Sequence, residues 1–274
     1  MKVARRFSVS RVMIGIFLTL VAIVSLFPFF WMLIGTTLNP NAVVSGSVIP
    51  GKEFALNWSK AVKNYNLPVY FLNSLKIAVL TVLLGVLANS LAAFGFEKYR
   101  SKAREKVFSV FMLSLMMPQI ALVIPLFKLM SSMKLLNTHA AIILPALMSP
   151  FIIFFMRQNF QMFPTEIMEA ARIDGAGEMY IFFRIVAPSM KASFVSAGIY
   201  MFLSQWNSYL WPLMTILSEE KKTLPIAISS MMKAYTIEYG AVMIIVCISI
   251  IPVIVLYLAM QKEFVSGLLG SVKG

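Results

Sequence analysis

Apolar and charged residues are segregated along this chain into blocks. Six charge-free apolar stretches stand out: Val12–Ile34, Ile77–Phe96, Val107–Phe127, Ala140–Met156, Ala192–Leu217 and Gly240–Met260, between 17 and 26 residues long. A helix that crosses the hydrocarbon core of a bilayer needs about 20 residues, so the pattern predicts six transmembrane helices. The shortest, Ala140–Met156, carries Pro145 and Pro150 and only just reaches. All 24 Lys and Arg and all 11 Asp and Glu fall outside these blocks. The segments between them include two long ones, 35–76 and 157–191, and loops beyond about 12–15 residues usually carry structure or function of their own. No internal repeat, low-complexity tract or linker divides the chain, which reads as one all-α membrane domain spanning residues 1–274.

Composition agrees with the pattern. The chain is 59% hydrophobic and 13% charged over 274 residues, with a mean hydropathy of +0.84. A water-soluble fold of this size has no interior large enough to hide that much apolar surface, which excludes a soluble enzyme as the default and a disordered chain outright. The net charge of +13 is read against membrane topology before nucleic acid. Segments 1–11, 97–106, 157–191 and 261–274 hold 15 Lys and Arg, against 9 in 35–76, 128–139 and 218–239. By the positive-inside rule the first set is cytoplasmic, with both termini inside. Lys98, Arg100, Lys102, Arg104 and Lys106 form a stop-transfer cluster within ten residues, not a nucleic-acid patch. Lys2, Arg5, Arg6 and Arg11 suit a signal peptide, but the apolar run behind them is too long and no small-residue cleavage site comes after it, so it reads as an uncleaved first helix. One Cys and one His preclude an intrachain disulfide and a His-rich metal site. No catalytic constellation is present; His139 reads as an interfacial loop residue and Cys247 as a small buried apolar one.

The informative loop runs from Pro164 to Pro188 and reads as helix, turn, helix. Thr165 is placed to N-cap a helix starting at Glu166, whose charge suits the positive end of the dipole. Gly175 supplies a position for positive φ at the helix end, and Asp174 is placed to cap the next helix. That second helix is expected over about Gly177–Val186, ended or bent by Pro188. Ala170 and Ala171 leave a small-residue surface where another backbone can approach closely.

Glu169-Ala170-Ala171, Asp174-Gly175-Ala176, Ile185 and Pro188 resemble the "EAA" loop of permease subunits of bacterial ATP-binding-cassette importers. Ala187 and Ala192 depart from that pattern, where Leu and a second Pro are common. The resemblance continues in Asn73-Ser74-Leu75, Met117-Pro118-Gln119 with Ile124-Pro125-Leu126, Leu135–Thr138 and Trp206–Pro212. The tail, Phe264–Leu268 with Val272–Gly274, is similar to that of the carbohydrate branch, in the manner of the second permease of the maltose system. The resemblance implies a type I importer permease fold in the bacterial cytoplasmic membrane. It implies that Glu169, Ala170, Ala171, Asp174, Gly175, Ala176, Ile185 and Pro188 dock on a separate ATPase dimer. It also implies a second permease subunit and an extracytoplasmic solute-binding protein, for which 35–76 is a candidate contact. The chain has no G-x-x-x-x-G-K-[ST] pattern, so ATP and Mg²⁺ are expected on the partner, and this subunit is expected to be neither enzyme nor cofactor carrier.

Inside the spans the few polar residues include Asn89, Ser90, Gln119, Gln205, Asn207 and Ser208, with no carboxylate, Lys, Arg or His. Secondary transporters usually keep an ionisable group near the midplane; neutral amides and aromatics suit a neutral, hydroxyl-rich solute. Gln119, Gln205, Trp206, Asn207 and Tyr209 are therefore candidate pathway residues. The same amides also suit hydrogen bonds between helices, and the aromatics suit interfacial anchors. Two rival readings stay open: the same machine carrying a non-sugar solute, and a channel or facilitator without an ATPase.

Overall fold

The structure is a computed structural model that describes the backbone of residues 9–270 and the side chains of residues 12–261. The basic residues Lys2, Arg5, Arg6 and Arg11, and the tail from Phe264 to Gly274, lie outside the described side chains. Among the described residues every regular element is helical. In chain order these are α1 (Val9–Gly35), α2 (Pro40–Val44), α3 (Phe54–Ser59, continued in wider turns to Asn64), α4 (Leu67–Lys98), α5 (Lys102–Ser114), α6 (Gln119–Ser132), α7 (Ala140–Leu147), α8 (Pro150–Gln161), α9 (Thr165–Ile173), α10 (Glu178–Ser189), α11 (Lys191–Trp206), α12 (Leu210–Thr215), α13 (Leu224–Met231) and α14 (Tyr239–Gly270).

Four stretches are long and apolar enough to cross a membrane: Val12–Gly35, Leu67–Lys98, Ala140–Gln161 and Tyr239–Gln261. Two bent pairs, α5 with α6 at 107° and α10 with α11 at 84°, raise the number to as many as six where each pair counts as one span. The chain is thus a polytopic helical membrane protein, but three of the six expected segments are not single rods. Val107–Phe127 is interrupted between Ser114 and Gln119, because Pro118 cannot donate to the preceding turn and instead sits at the N-cap position of α6 with ψ 127°. Ala140–Met156 is split at Met148–Ser149 and runs on to Gln161; both residues are extended, as the position before a proline favours. Ala192–Leu217 ends as a helix at Trp206, where Asn207 turns its amide back to the Leu203 carbonyl at 2.9 Å. α12 then restarts with Pro212 in its first turn, where a missing N–H costs nothing.

The contacts group into two compact units, Met1–Leu67 with Ile228–Ile251, and Pro68–Ala227 with Pro252–Gly274. In the first, Ile34, Leu38 and Val43 are buried against Trp31, Ala42, Tyr239 and Met243. Asn57, itself buried, donates to the Thr36 and Leu38 carbonyls at 3.0 and 2.8 Å and ties α3 to the end of α1. Gly240 makes room for it: a Cβ there would lie 2.2 Å from the Asn57 amide nitrogen. Lys60 pairs with Glu238 at 2.8 Å.

In the second unit α4 buries Tyr70, Ser74, Ile77, Ala78, Thr81, Asn89, Ala93, Phe94 and Glu97, a stripe at helical spacing. α8 buries Ile152, Ile153, Met156, Arg157 and Phe160 in the same way. Phe94, Phe160, Phe182 and Phe194 meet edge to face, with centroids 5.2–6.3 Å apart. Asn89, with no exposed surface, donates to the Gly85 and Leu147 carbonyls at 2.6 and 2.7 Å and accepts from the Ser149 amide at 2.8 Å. One side chain of α4 thereby satisfies two of the backbone groups freed by the break between α7 and α8, where a bilayer interior offers no water to do so.

Candidate functional site

The Pro164–Pro188 loop folds as the expected hairpin, with three local differences. Thr165 is the first residue of α9, and Pro164 occupies the cap position without a side-chain bond. Asp174 does not cap the second helix; it ends the first, its amide reaching the Ala170 carbonyl at 3.0 Å. The second helix begins at Glu178 and runs to Ser189, past the expected stop at Val186. It does so through wide, five-residue turns over Ile181–Val186, which accommodate Pro188 inside the helix.

Gly175 is the turn. Its φ is +84°, and a Cβ would meet nothing within 4 Å, so the backbone conformation, not space, calls for glycine. The Gly175 amide bonds Arg172 and the Ala176 amide bonds Ala171, at 3.0 and 2.9 Å. Arg172 closes the hairpin with a fork onto Glu178, Nε to Oε1 at 2.8 Å and Nη2 to Oε2 at 3.3 Å. The guanidinium holds the Glu178 carboxyl below its usual range, and the same bond raises Arg172.

The hairpin has a buried back and an open front. Met168, Ile181, Phe182 and Val186 are buried in the second unit's core, with Ala171, Ala176 and Ile185 packed half-buried beside them. Glu169, Ala170, Asp174, Gly175 and Pro188 are exposed. So are the apolar Ile173, Met179 and Tyr180, at 87%, 63% and 59%. Around the turn, Ala171, Asp174, Gly175, Ala176, Tyr180 and Ile185 line an open concavity of about 500 Å³. Of the eight residues expected to couple, five face out and three anchor. The open front thus sets charged residues beside small and apolar ones on a helical base.

The expected pathway residues fall at two of the helix breaks. Gln119 is exposed at the first turn of α6, directly after the bend. Gln205, Trp206, Asn207 and Tyr209 surround the break between α11 and α12. Trp206 is 4% exposed, stacked on Phe202 at 5.6 Å and edge-on to Phe71 at 5.7 Å. Gln205 and Tyr209 are half-buried, and Asn207 is exposed. Cys247 is half-buried. Other quoted motifs act as clamps. Asn73 donates to the Glu220 and Lys222 carbonyls at 2.9 and 3.0 Å, and the Ser74 hydroxyl accepts from the Leu224 amide at 2.8 Å. Asn137, left-handed at φ 59°, accepts from the Leu217 and Ser218 amides. His139 Nε2 lies 3.2 Å from the Lys221 carbonyl, and burial pulls its pKa down.

Sequence reasoning missed Arg157. It lies one residue beyond a charge-free block and is 8% exposed, with Nε 3.1 Å from Glu97 and Nη2 2.6 Å from Glu105. Its helical phase with Ile153 and Phe160, four before and three after, is the signal that places it inward.

The structure defines the class as a polytopic helical membrane protein with an exposed helical hairpin between two of its membrane segments. The sequence comparisons give the family. Residues 82–268 match the binding-protein-dependent transport system inner membrane component family, and the chain belongs to it. It is 45% identical over 256 residues to the lactose transport system permease protein of Rhizobium radiobacter, covering 93% of this chain and 94% of that one. It is 33% identical over 279 residues to the arabinooligosaccharides transport system permease protein of Bacillus subtilis, covering 98% of both. Among solved structures, the fold matches a chain of a bacterial ABC transporter involved in the import of the acidic polysaccharide alginate, with a TM-score of 0.84 and 23% identity over 95% of this chain and all of that one.

Proposed function

We propose that this chain is one of two permease subunits in an ATP-driven, binding-protein-dependent importer of a sugar or oligosaccharide. It lines half of the pathway and docks on a separate ATPase dimer through the Glu169–Pro188 hairpin. The observation that carries this reading is the hairpin itself. Its back is fixed in the core by Phe182, while small, charged and apolar residues are left open around a left-handed glycine turn. The two relatives, both named for sugar transport, support a carbohydrate solute, as do the neutral amides at the helix breaks. The Lys and Arg distribution supports cytoplasmic termini and a cytoplasmic hairpin. ATP and Mg²⁺ belong to the partner, and the extracytoplasmic protein that delivers the solute meets the opposite face, with 35–76 the first segment to test.

The experiment is purification of the tagged chain from its native membrane in mild detergent, wild type beside Gly175→Val. A second permease and an ATPase recovered with the wild type, and a weakened ATPase yield from the variant, are expected. A chain that purifies alone in both samples sinks the coupling reading and favours an ATPase-independent channel. Uptake by a deletion strain, profiled over sugars and amino acids, then decides the solute class.

A further inference from the structure

Glu97, Lys98, Tyr99 and Arg100, at the inner end of α4, contact α5, α8, α9 and the turn that leads into α9. Glu97 and Arg157 are each 8% exposed and paired at 3.1 Å, which ties α4 to α8. Arg157 reaches Glu105 at 2.6 Å and lies 4.0 Å over the Phe108 ring, which adds α5. The second Glu97 oxygen takes Arg100. Lys98 donates to the Phe163 carbonyl at 2.8 Å, in the turn that leads into α9. The Tyr99 ring has the Arg172 guanidinium of the hairpin 5.9 Å from its centre and that of Arg104 5.5 Å away.

A buried ion pair is a poor source of stability, since its desolvation cost roughly cancels its attraction and well-packed apolar replacements are often as stable. What it supplies is direction. The aromatic cluster beside it allows sliding, because dispersion contacts are individually weak and non-directional. An arginine held by two carboxylates fixes both distance and angle. We propose that the Glu97–Arg100 segment, with Arg157 as its pivot, is the relay that makes the hairpin and the inner ends of α4, α5 and α8 move as one body. Arg157 and Glu97 are thus positioning residues for transport. This rests on the hairpin being the ATPase contact.

The test uses the reconstituted complex with its binding protein and labelled lactose as the probe solute. The variant is Glu97→Met/Arg157→Met, which removes the pair without stranding one buried charge. The expected result is wild-type subunit stoichiometry and basal ATP hydrolysis, with ATP consumed per lactose imported raised about tenfold, the scale of an ordinary coupling free energy. A readout independent of solute is the thiol-labelling rate of Val69→Cys, exposed at the outer end of α4, in a Cys247→Ala background. ATP with Mg²⁺ shifts that rate in the wild type and leaves it unmoved in the double variant. A double variant that keeps the wild-type ATP shift overturns the relay, as does one that loses activity only in proportion to lost complex. A wild-type chain that carries no ATPase overturns the hairpin assignment and the relay together.

Discussion

Replacing Asn89 by Leu removes three hydrogen bonds at nearly constant volume. Two of them serve the backbone groups freed by the helix break: the Leu147 carbonyl, held at 2.7 Å, and the Ser149 amide, held at 2.8 Å. Each backbone group left unsatisfied and buried costs about 1–3 kcal/mol. Hydrogen bonds inside membrane bundles are worth less on average, about 0.6 kcal/mol, because the unfolded chain in lipid finds other partners. Weighing the two gives about 2–4 kcal/mol for Asn89→Leu. At about 2–4 °C per kcal/mol for a chain of this size, unfolding shifts down by about 4–16 °C. Unfolding in detergent is often irreversible, so wild type and variant are compared at one scan rate by intrinsic tryptophan fluorescence. The control is Asn207→Leu, whose exposed amide makes a single bond four residues back and whose loss shifts unfolding by less than about 2 °C. If Asn89→Leu unfolds within the control's range, the break between α7 and α8 does not depend on this side chain, and the accounting of its backbone groups is wrong.

Gly175→Asn tolerates the left-handed turn better than Gly175→Val, so ATPase recovery is expected to fall in the order wild type, Asn, Val; equal recovery from Asn and Val would show that φ is not the constraint. Gly240→Ala pushes against the buried Asn57 amide and is expected to loosen residues 36–60; faster limited proteolysis there checks it, and unchanged cleavage refutes the packing argument. The Glu178 carboxyl is depressed by Arg172 from a usual value of 4.5. Its contribution is therefore full above pH 4.5 and lost as pH falls through the depressed value. Both partners are at least a third exposed, which limits it to under about 1 kcal/mol. Stability of wild type and Glu178→Gln is expected to converge as the pH falls below the depressed carboxyl value and to separate slightly at about pH 6, and a constant difference would contradict the pairing.

The six apolar blocks and the hairpin were legible because both depend on local signals: hydrocarbon thickness sets block length, and a glycine flanked by amphipathic segments sets the turn. Helix continuity was not legible. Pro118 and Pro150 break their segments while Pro28 and Pro252 sit inside intact helices, and the sequence around each proline does not say which. The outcome depends on whether a distant side chain, such as Asn89, satisfies the freed backbone groups. Arg157 was hidden for a similar reason. A charge at the end of an apolar run normally marks an interface, and its burial depends on Glu97 and Glu105, 60 and 52 residues away in sequence. The hairpin's eight residues could be named from the sequence, but their division into exposed and anchored ones needed the core behind them.

From Val12 to Phe30 every side chain of α1 is exposed. Packing among the described residues therefore places no shape requirement on those nineteen positions beyond being apolar and helical. Any selectivity among substitutions there is imposed from outside the described residues, by lipid or by a neighbouring surface. A saturation library across α1, scored for function in the cell, would trace the outline of those neighbours: positions that accept every apolar residue face fluid lipid, and positions that reject some mark where a second surface touches.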